Sequence, residues 1–267
     1  MGQKISADDL CKIFEDHKIW ISSSEEEGSC AELNDANLSG ADLRGVNLSG
    51  ADLNGINLSD ADLRGADLSN ANLNSADLSG VDLRDVNLND AWLAFADMSS
   101  TDLRNADLSD IDLYRADLDS ANLSSADLCR TNLNHAFLNG SKLNHANLRG
   151  AYLSCASLNA SDLSGVDLSS ANLSNAHLQG ADLSGANLSG AYLGDIYLLD
   201  ANLSDTILEG VSGLNIDQLS RVKTLLKSKL DSELAKQVKE KYPHLLTIIA
   251  SGVTKIGAKK KMAKCKS

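Results

Sequence analysis

The chain has 267 residues and a net charge of −13, from 24 Lys and Arg against 37 Asp and Glu, with one Pro and 4% aromatics. So few rings exclude a core built from large aromatic side chains. No apolar run approaches the roughly 18 residues of a transmembrane helix, which excludes one.

Residues 1–30 form the first segment. Met1-Gly2-Gln3-Lys4-Ile5-Ser6 satisfies a loose pattern for acylation at Gly2. Ser6 reads better as a helix N-cap, because Asp9 stands three residues on and Asp8 and Asp9 suit the positive end of a helix dipole. A helix over 6–21 is predicted, with Leu10, Ile13, Phe14, His17, Trp20 and Ile21 along one stripe and a polar link from Ser22 to Gly28. The segment lacks the apolar stretch of a secretory signal. The five Cys, at 11, 30, 129, 155 and 265, show no CxxC spacing. An odd, scattered set of thiols leads us to expect a reducing, cytoplasmic setting.

Residues 31–210 repeat every five residues without a slip, giving 36 pentads of the form Ala41-Asp42-Leu43-Arg44-Gly45. The third position is Leu in all but one, where it is Met98; the first is Ala in 24 and the second Asp or Asn in 26. Helices repeat every 3.6 residues and strands every 2, so five residues must be one side of a polygonal coil. A unit this short buries its apolar face only by stacking on copies of itself. Leu and the small first residue therefore point to the axis. The second, fourth and fifth positions face water, which accounts for Asp, Asn, Ser, Arg and Gly there.

This run resembles the pentapeptide-repeat family, whose consensus is A(D/N)LXX, and covers about two thirds of the chain. The resemblance implies an all-β solenoid, a right-handed quadrilateral parallel β-helix. With four pentads to a coil, 180 residues give about nine coils spaced roughly 4.8 Å apart. His17-x-x-Trp20 and Gly28 are similar to leaders before such runs, so the first helix is expected to cap the open end.

Residues 20 apart then share a face. One column holds Asp42, Asp62, Asp82 and Asp102, and two residues along stand Arg44, Arg64, Arg84 and Arg104, a charge ladder that balances the surface. A second group breaks the pattern: Trp92, Phe95, Tyr114, Arg115, His135, Phe137 and Tyr152 are expected to gather near one edge in mid-rod. Exposed aromatics with Arg are the usual content of binding hot spots, so these seven are the candidate partner-binding patch. His135 and Cys155 fall one coil apart, but two ligands do not make a zinc site.

Beyond Gly210 the beat fails. Tyr192, Tyr197, Leu199, Ile207 and Leu208 enrich the last coils in apolar side chains, as expected beneath a cover. Residues 211–244 are predicted to supply capping helices. The first starts at N-cap Asn215 with Gln218 three residues on, and its stripe is Leu219, Val222, Leu225, Leu226 and Leu230; the second runs over about 232–242 and stops at Pro243. Residues 245–267 combine an apolar segment with six Lys, suited either to a further packed helix or to an anionic membrane surface.

No nucleophile and base in register, phosphate loop or metal motif appears, so neither enzyme activity nor a cofactor is expected. The expected function is a rigid protein-interaction module. The alternative that the resemblance supplies is DNA mimicry: the Qnr-type quinolone-resistance proteins bind DNA gyrase as acidic rods. Residues 31–210 carry a net −18, whereas residues 211–267 carry +9, which a DNA surrogate does not need. Direct nucleic-acid binding is not expected, because the rod would repel phosphates. Either a monomer or a homodimer fits a capped rod.

Overall fold

The computed structural model describes residues 5–247. The acylation pattern at Gly2 and the basic tail from residue 248 onward lie outside the described residues. Parallel bridges join residues 20 apart, from Glu32 with Asp52 to Tyr192 with Ser212. The bonds alternate: Leu33 N–H donates to Asp52 O at 2.8 Å, and Asp52 N–H donates to Ala31 O at 2.9 Å. Four pentads therefore close each turn of a parallel β-helix. We label the faces A, B, C and D after the pentads that begin at Ala31, Ala36, Ala41 and Val46.

The axis is a column of third-position side chains, all buried, with Met98 among the Leu. First-position Ala lies buried beside it. Where Thr or Ser takes that place, the hydroxyl finds a carbonyl: Thr101 Oγ1 donates to Met98 O at 2.6 Å, and Ser141 Oγ to Leu138 O at 2.7 Å. A buried hydroxyl without a partner would cost about 1–3 kcal/mol, so these bonds make the exchange tolerable.

The second position does more than face water. Its carboxylate or amide oxygen accepts the backbone N–H two residues on, as in Ser39 to Asn37 at 3.0 Å and Ser69 to Asp67 at 3.0 Å. This local bond closes the corner, and it explains why short Asp and Asn dominate. Between coils the same oxygens accept amide donors from above: Asn72 Nδ2 donates to Asp52, Asn87 to Asp67 and Asn147 to Asp127 at 2.8–3.0 Å. The fifth position has positive φ throughout the run, including Phe95 (62°), Arg115 (57°) and Ala160 (56°). A side chain other than Gly, Asn or Asp costs roughly 1–2 kcal/mol there.

The ladder opens in one region. Bridges between residues 62 and 82 and between 87 and 107 are missing from an otherwise continuous series. The two openings flank residues 81–90, where consecutive corners are occupied by Val81 and Val86. Ala61 and Ala106, each facing an opening, are slightly more exposed than most corner Ala residues.

Helix α1, Ala7–Ser22, starts as expected: Ser6 Oγ accepts Asp9 N–H at 3.2 Å. It covers the first coil through His17, which is fully buried and stacked on Trp20 at 5.4 Å. His17 Nδ1 accepts the Ala31 N–H at 3.1 Å, so the imidazole is neutral and its proton sits on Nε2. Burial lowers its pKa below 6.5, partly offset by the nearby Ser49 carbonyl. Gly28 turns the chain into the first coil with φ of 78°, and a Cβ there would lie 2.4 Å from Asp16 O.

At the other end the prediction is corrected. The stripe from Leu219 to Leu230 is not one long helix. A 3₁₀ turn, Ile216–Arg221, is followed by an extended return that pairs with the last pentads. Strand β1 (Ile207–Leu208) runs parallel to strand β2 (Lys229–Leu230), and Asn202 bridges Thr224. The offset has grown from 20 to 22, because the 3₁₀ turn takes up two extra residues at one corner. Leu219, Val222 and Leu225 continue the buried column. The expected capping box is present, with Asn215 and Gln218 bonded reciprocally. Helix α2, Ser232–Lys241, and a 3₁₀ turn, Pro243–Leu246, close the end with Val238 and Leu245 buried. Among the described residues no helix is long and apolar enough to cross a membrane.

Two outcomes are expected. At Gly180 a Cβ would meet nothing within 4 Å, so Gly180→Ala isolates backbone strain and should lower stability by about 1 kcal/mol. Ala160→Gly should raise it by a similar amount; urea denaturation of both measures the pair. For His17, the unfolded state binds the proton more readily, so stability should fall as pH drops below 6.5. Protection of the Ala31 amide from hydrogen exchange should decline over that window, and His17→Asn, which keeps an acceptor, should flatten the dependence.

Candidate interaction surface

The charge ladder lies on face C. Arg44 grips Asp42 with two bonds, Nε to Oδ1 at 2.7 Å and Nη2 to Oδ2 at 2.6 Å, and Arg64, Arg84 and Arg104 repeat this on Asp62, Asp82 and Asp102. The charge-assisted bond from Arg44 holds the Asp42 carboxyl down to about 2. Arg44 also reaches Asp62 and Arg84 reaches Asp102, each at 3.5 Å. The ion pairs include no link from Arg64 to Asp82, across the opening in the backbone ladder. Every carboxylate of the ladder is answered inside its own pentad, which leaves little for a partner.

The aromatic group divides. Trp92, Phe95, Tyr114, Arg115, His135 and Tyr152 belong to face A. Phe95 meets Tyr114 edge-on with centroids 5.5 Å apart, Tyr114 meets His135 edge-on at 5.7 Å, and the Arg115 guanidinium lies over Tyr114 at 5.5 Å. These four, on three successive coils, climb the corner between faces A and B. Trp92 and Tyr152 stand mid-face in one bridged column, three coils apart. Phe137 does not share their face: it lies past the corner on face B, in the column of Asp97 and Asp117. Trp92, Phe95, Phe137 and Tyr152 are 48–59% exposed, so these rings are not core.

The expectation that Tyr192, Tyr197 and Leu199 lie beneath a cover is also corrected. They are exposed, because second and fourth positions point outward even in the last coil. Sequence reasoning assigned them to the wrong side and left His177 out. His177 stacks on Tyr197 with centroids 4.5 Å apart in the face B column of Phe137, nearer the C-terminal end.

Several of these side chains come with a structural compensation. An aromatic at the second position cannot accept the corner N–H. At Trp92 the orphaned Ala94 N–H is taken by Asn74 Oδ1 of the coil below at 2.9 Å. Asp119 does this for Asn139 beside Phe137 at 2.6 Å, Asn134 for Ser154 beside Tyr152 at 2.9 Å, and Asn159 for Gln179 beside His177 at 3.1 Å. At these four positions a fourth-position Asn or Asp beneath supplies the acceptor, whereas Ser174 and Gln179 lie beneath Tyr192 and Tyr197.

Among the described residues no group of three or more His, Cys, Asp and Glu is placed to hold a metal ion. Fold and surface together define a parallel β-helical rod that displays side chains on flat faces. The chain belongs to the pentapeptide repeat family, which it matches in eight copies spanning residues 29–212. No curated protein sequence matches it at a significant level. Among solved structures, HetL, a pentapeptide repeat protein involved in heterocyst differentiation regulation from the cyanobacterium Nostoc sp. strain PCC 7120, is 30% identical, with 78% of this chain and 94% of that one covered and a TM-score of 0.39. A trypsin-treated form of QnrB1, a plasmid-mediated fluoroquinolone resistance protein, is 21% identical, with 76% and 91% covered and a TM-score of 0.41.

Removing the compensating acceptor should be felt only where the ring needs it. Asn74→Ala should cost about 1–2 kcal/mol in the wild type and distinctly less with Trp92→Asp, which restores the corner acceptor. A double-mutant cycle by urea denaturation measures that coupling.

Proposed function

We propose that this protein is a non-enzymatic interaction module, a rigid right-handed rod of about nine regular coils that works in the cytoplasm and holds a protein partner at the corner of faces A and B. The observation that carries this reading is the contiguous, half-exposed series Phe95, Tyr114 and His135 with Arg115, placed in strained left-handed positions at 95, 115 and 135. Gly would be more comfortable at each of these three, so the structure bears a cost to display large side chains. Affinity capture from a lysate of the source organism tests it. The replacements Phe95→Asn, Tyr114→Asn and His135→Asn keep the fold, since Asn tolerates positive φ at 95 and 135. They should abolish recovery of a partner that the wild type retains, and that partner, once purified, should bind the wild type at least about tenfold more tightly. Equal recovery by both proteins would sink the reading.

A second reading is served by face B, which bears Asp60, Asp77, Asp97, Asp117, Asp119 and Asp200 and no Lys or Arg. An acidic face without Lys or Arg is what a DNA surrogate would present to DNA gyrase. Inhibition of gyrase supercoiling at sub-micromolar protein would favour it, whereas inactivity at far higher concentration would remove it.

A further inference from the structure

The proposed corner also has a charge, and the charge indicates what binds. Face A carries Glu32, Asp35, Asp52, Asp112 and Asp195 against one Arg, Arg115, and no Lys, and face B carries neither Lys nor Arg. This differs from face C, where each ladder carboxylate has its own guanidinium, and from face D, where Arg130 pairs with Asp110. Beside the aromatic series, Asp97, Asp117 and Phe137 form one bridged column. Asp117 is half-buried, and its carboxyl is pushed up by that burial, partly offset by the Asp119 N–H it accepts and raised further by the charges of Asp119 and Asp97. No ion pair reaches Asp97, Asp117 or Asp119 among the described residues. The single Arg on these two faces already shows where a cation goes, since the Arg115 guanidinium lies over the Tyr114 ring.

Resting on the interaction reading above, we infer that the corner of faces A and B takes a basic peptide segment, one that sets Arg or Lys beside Asp97 and Asp117 and apolar side chains against Phe95, Tyr114 and Phe137. Trp92 and Tyr152 offer further open ring faces for cations on the flank. A guanidinium suits both surfaces, as it pairs with carboxylates and stacks on rings. The same carboxylates repel phosphates, so nucleic acid and anionic lipid are the wrong chemistry for this corner.

The test is a selection from a displayed library of random dodecapeptides on the full-length protein, followed by titration of the recovered peptides. Three variants separate the causes. Phe95→Asn with Tyr114→Asn removes the rings. Asp97→Asn with Asp117→Asn removes two charges but keeps the corner bonds, because these carboxylates accept Ser99 N–H at 3.0 Å and Asp119 N–H at 2.9 Å through one oxygen that Asn also has. Asp162→Asn with Asp182→Asn removes the same charge from face C. Unchanged thermal unfolding checks each fold.

The expected result is a set of peptides enriched in Arg and Lys whose affinity falls about tenfold on either corner variant and stays within about twofold on the face C variant. Corner-dependent peptides of neutral or acidic composition would overturn the inference while leaving the interaction surface in place. Equal weakening on face C would also overturn it, as general attraction between charges. Failure to recover any corner-dependent peptide would remove both the inference and the reading beneath it.

Discussion

Everything in this molecule follows from backbone hydrogen bonds between residues 20 apart, made possible by a Leu column thin enough for four corners to close around it. The bond from Leu33 to Asp52 and its successors fix the coil spacing, and the spacing fixes what each pentad position can hold. Inward positions hold Leu or Met at the third place and Ala, Ser, Thr, Val or Ile at the first. Outward positions have more freedom, but less than their exposure implies. The second closes a turn with its own oxygen, and the fifth must bear a left-handed backbone. A large ring on such a surface therefore has a structural consequence at its own corner.

That constraint is visible at four outward side chains: the corner amides beside Trp92, Phe137, Tyr152 and His177 are each served from the coil below. The same logic governs charge. Along the second-position columns Asn often sits on Asp, as Asn132 does on Asp112 at 2.7 Å, so an amide donor separates carboxylates that would otherwise repel at close spacing. Where the column runs Asp97, Asp117, Phe137 instead, charge and ring meet without a neutralising neighbour.

Much of this was legible in the sequence. The five-residue beat gave the inward and outward positions, the resemblance gave four sides, and spacing by 20 then put the Asp–Arg ladder on one face. Ser6 and Asn215 marked their caps through ordinary local chemistry. What escaped had physical causes. A one-dimensional period does not reveal that Asp at the second position closes a turn, because solvation alone explains the same residue. Leu219, Val222 and Leu225 have helix-like spacing, yet an irregular coil lays them on the same apolar column. Phe137 follows His135 by two residues, close in sequence but across a corner. Tyr192 and Tyr197 sit at outward positions, and that parity outweighs their position near the end of the rod.

The two openings in the ladder border the coil of residues 71–90 on opposite sides, one on face C toward the coil before it and one on face D toward the coil after it. A rod of continuous bonds resists bending equally about every corner, because any tilt stretches intact rows. Here each boundary of that coil has one row of bonds fewer, on face C before it and on face D after it, so a tilt that opens that face stretches fewer rows. The N-terminal coils with α1 lie on one side of these openings. The corner of Phe95, Tyr114 and His135 lies on the other, so its geometry is set by the longer, uninterrupted stretch of coils.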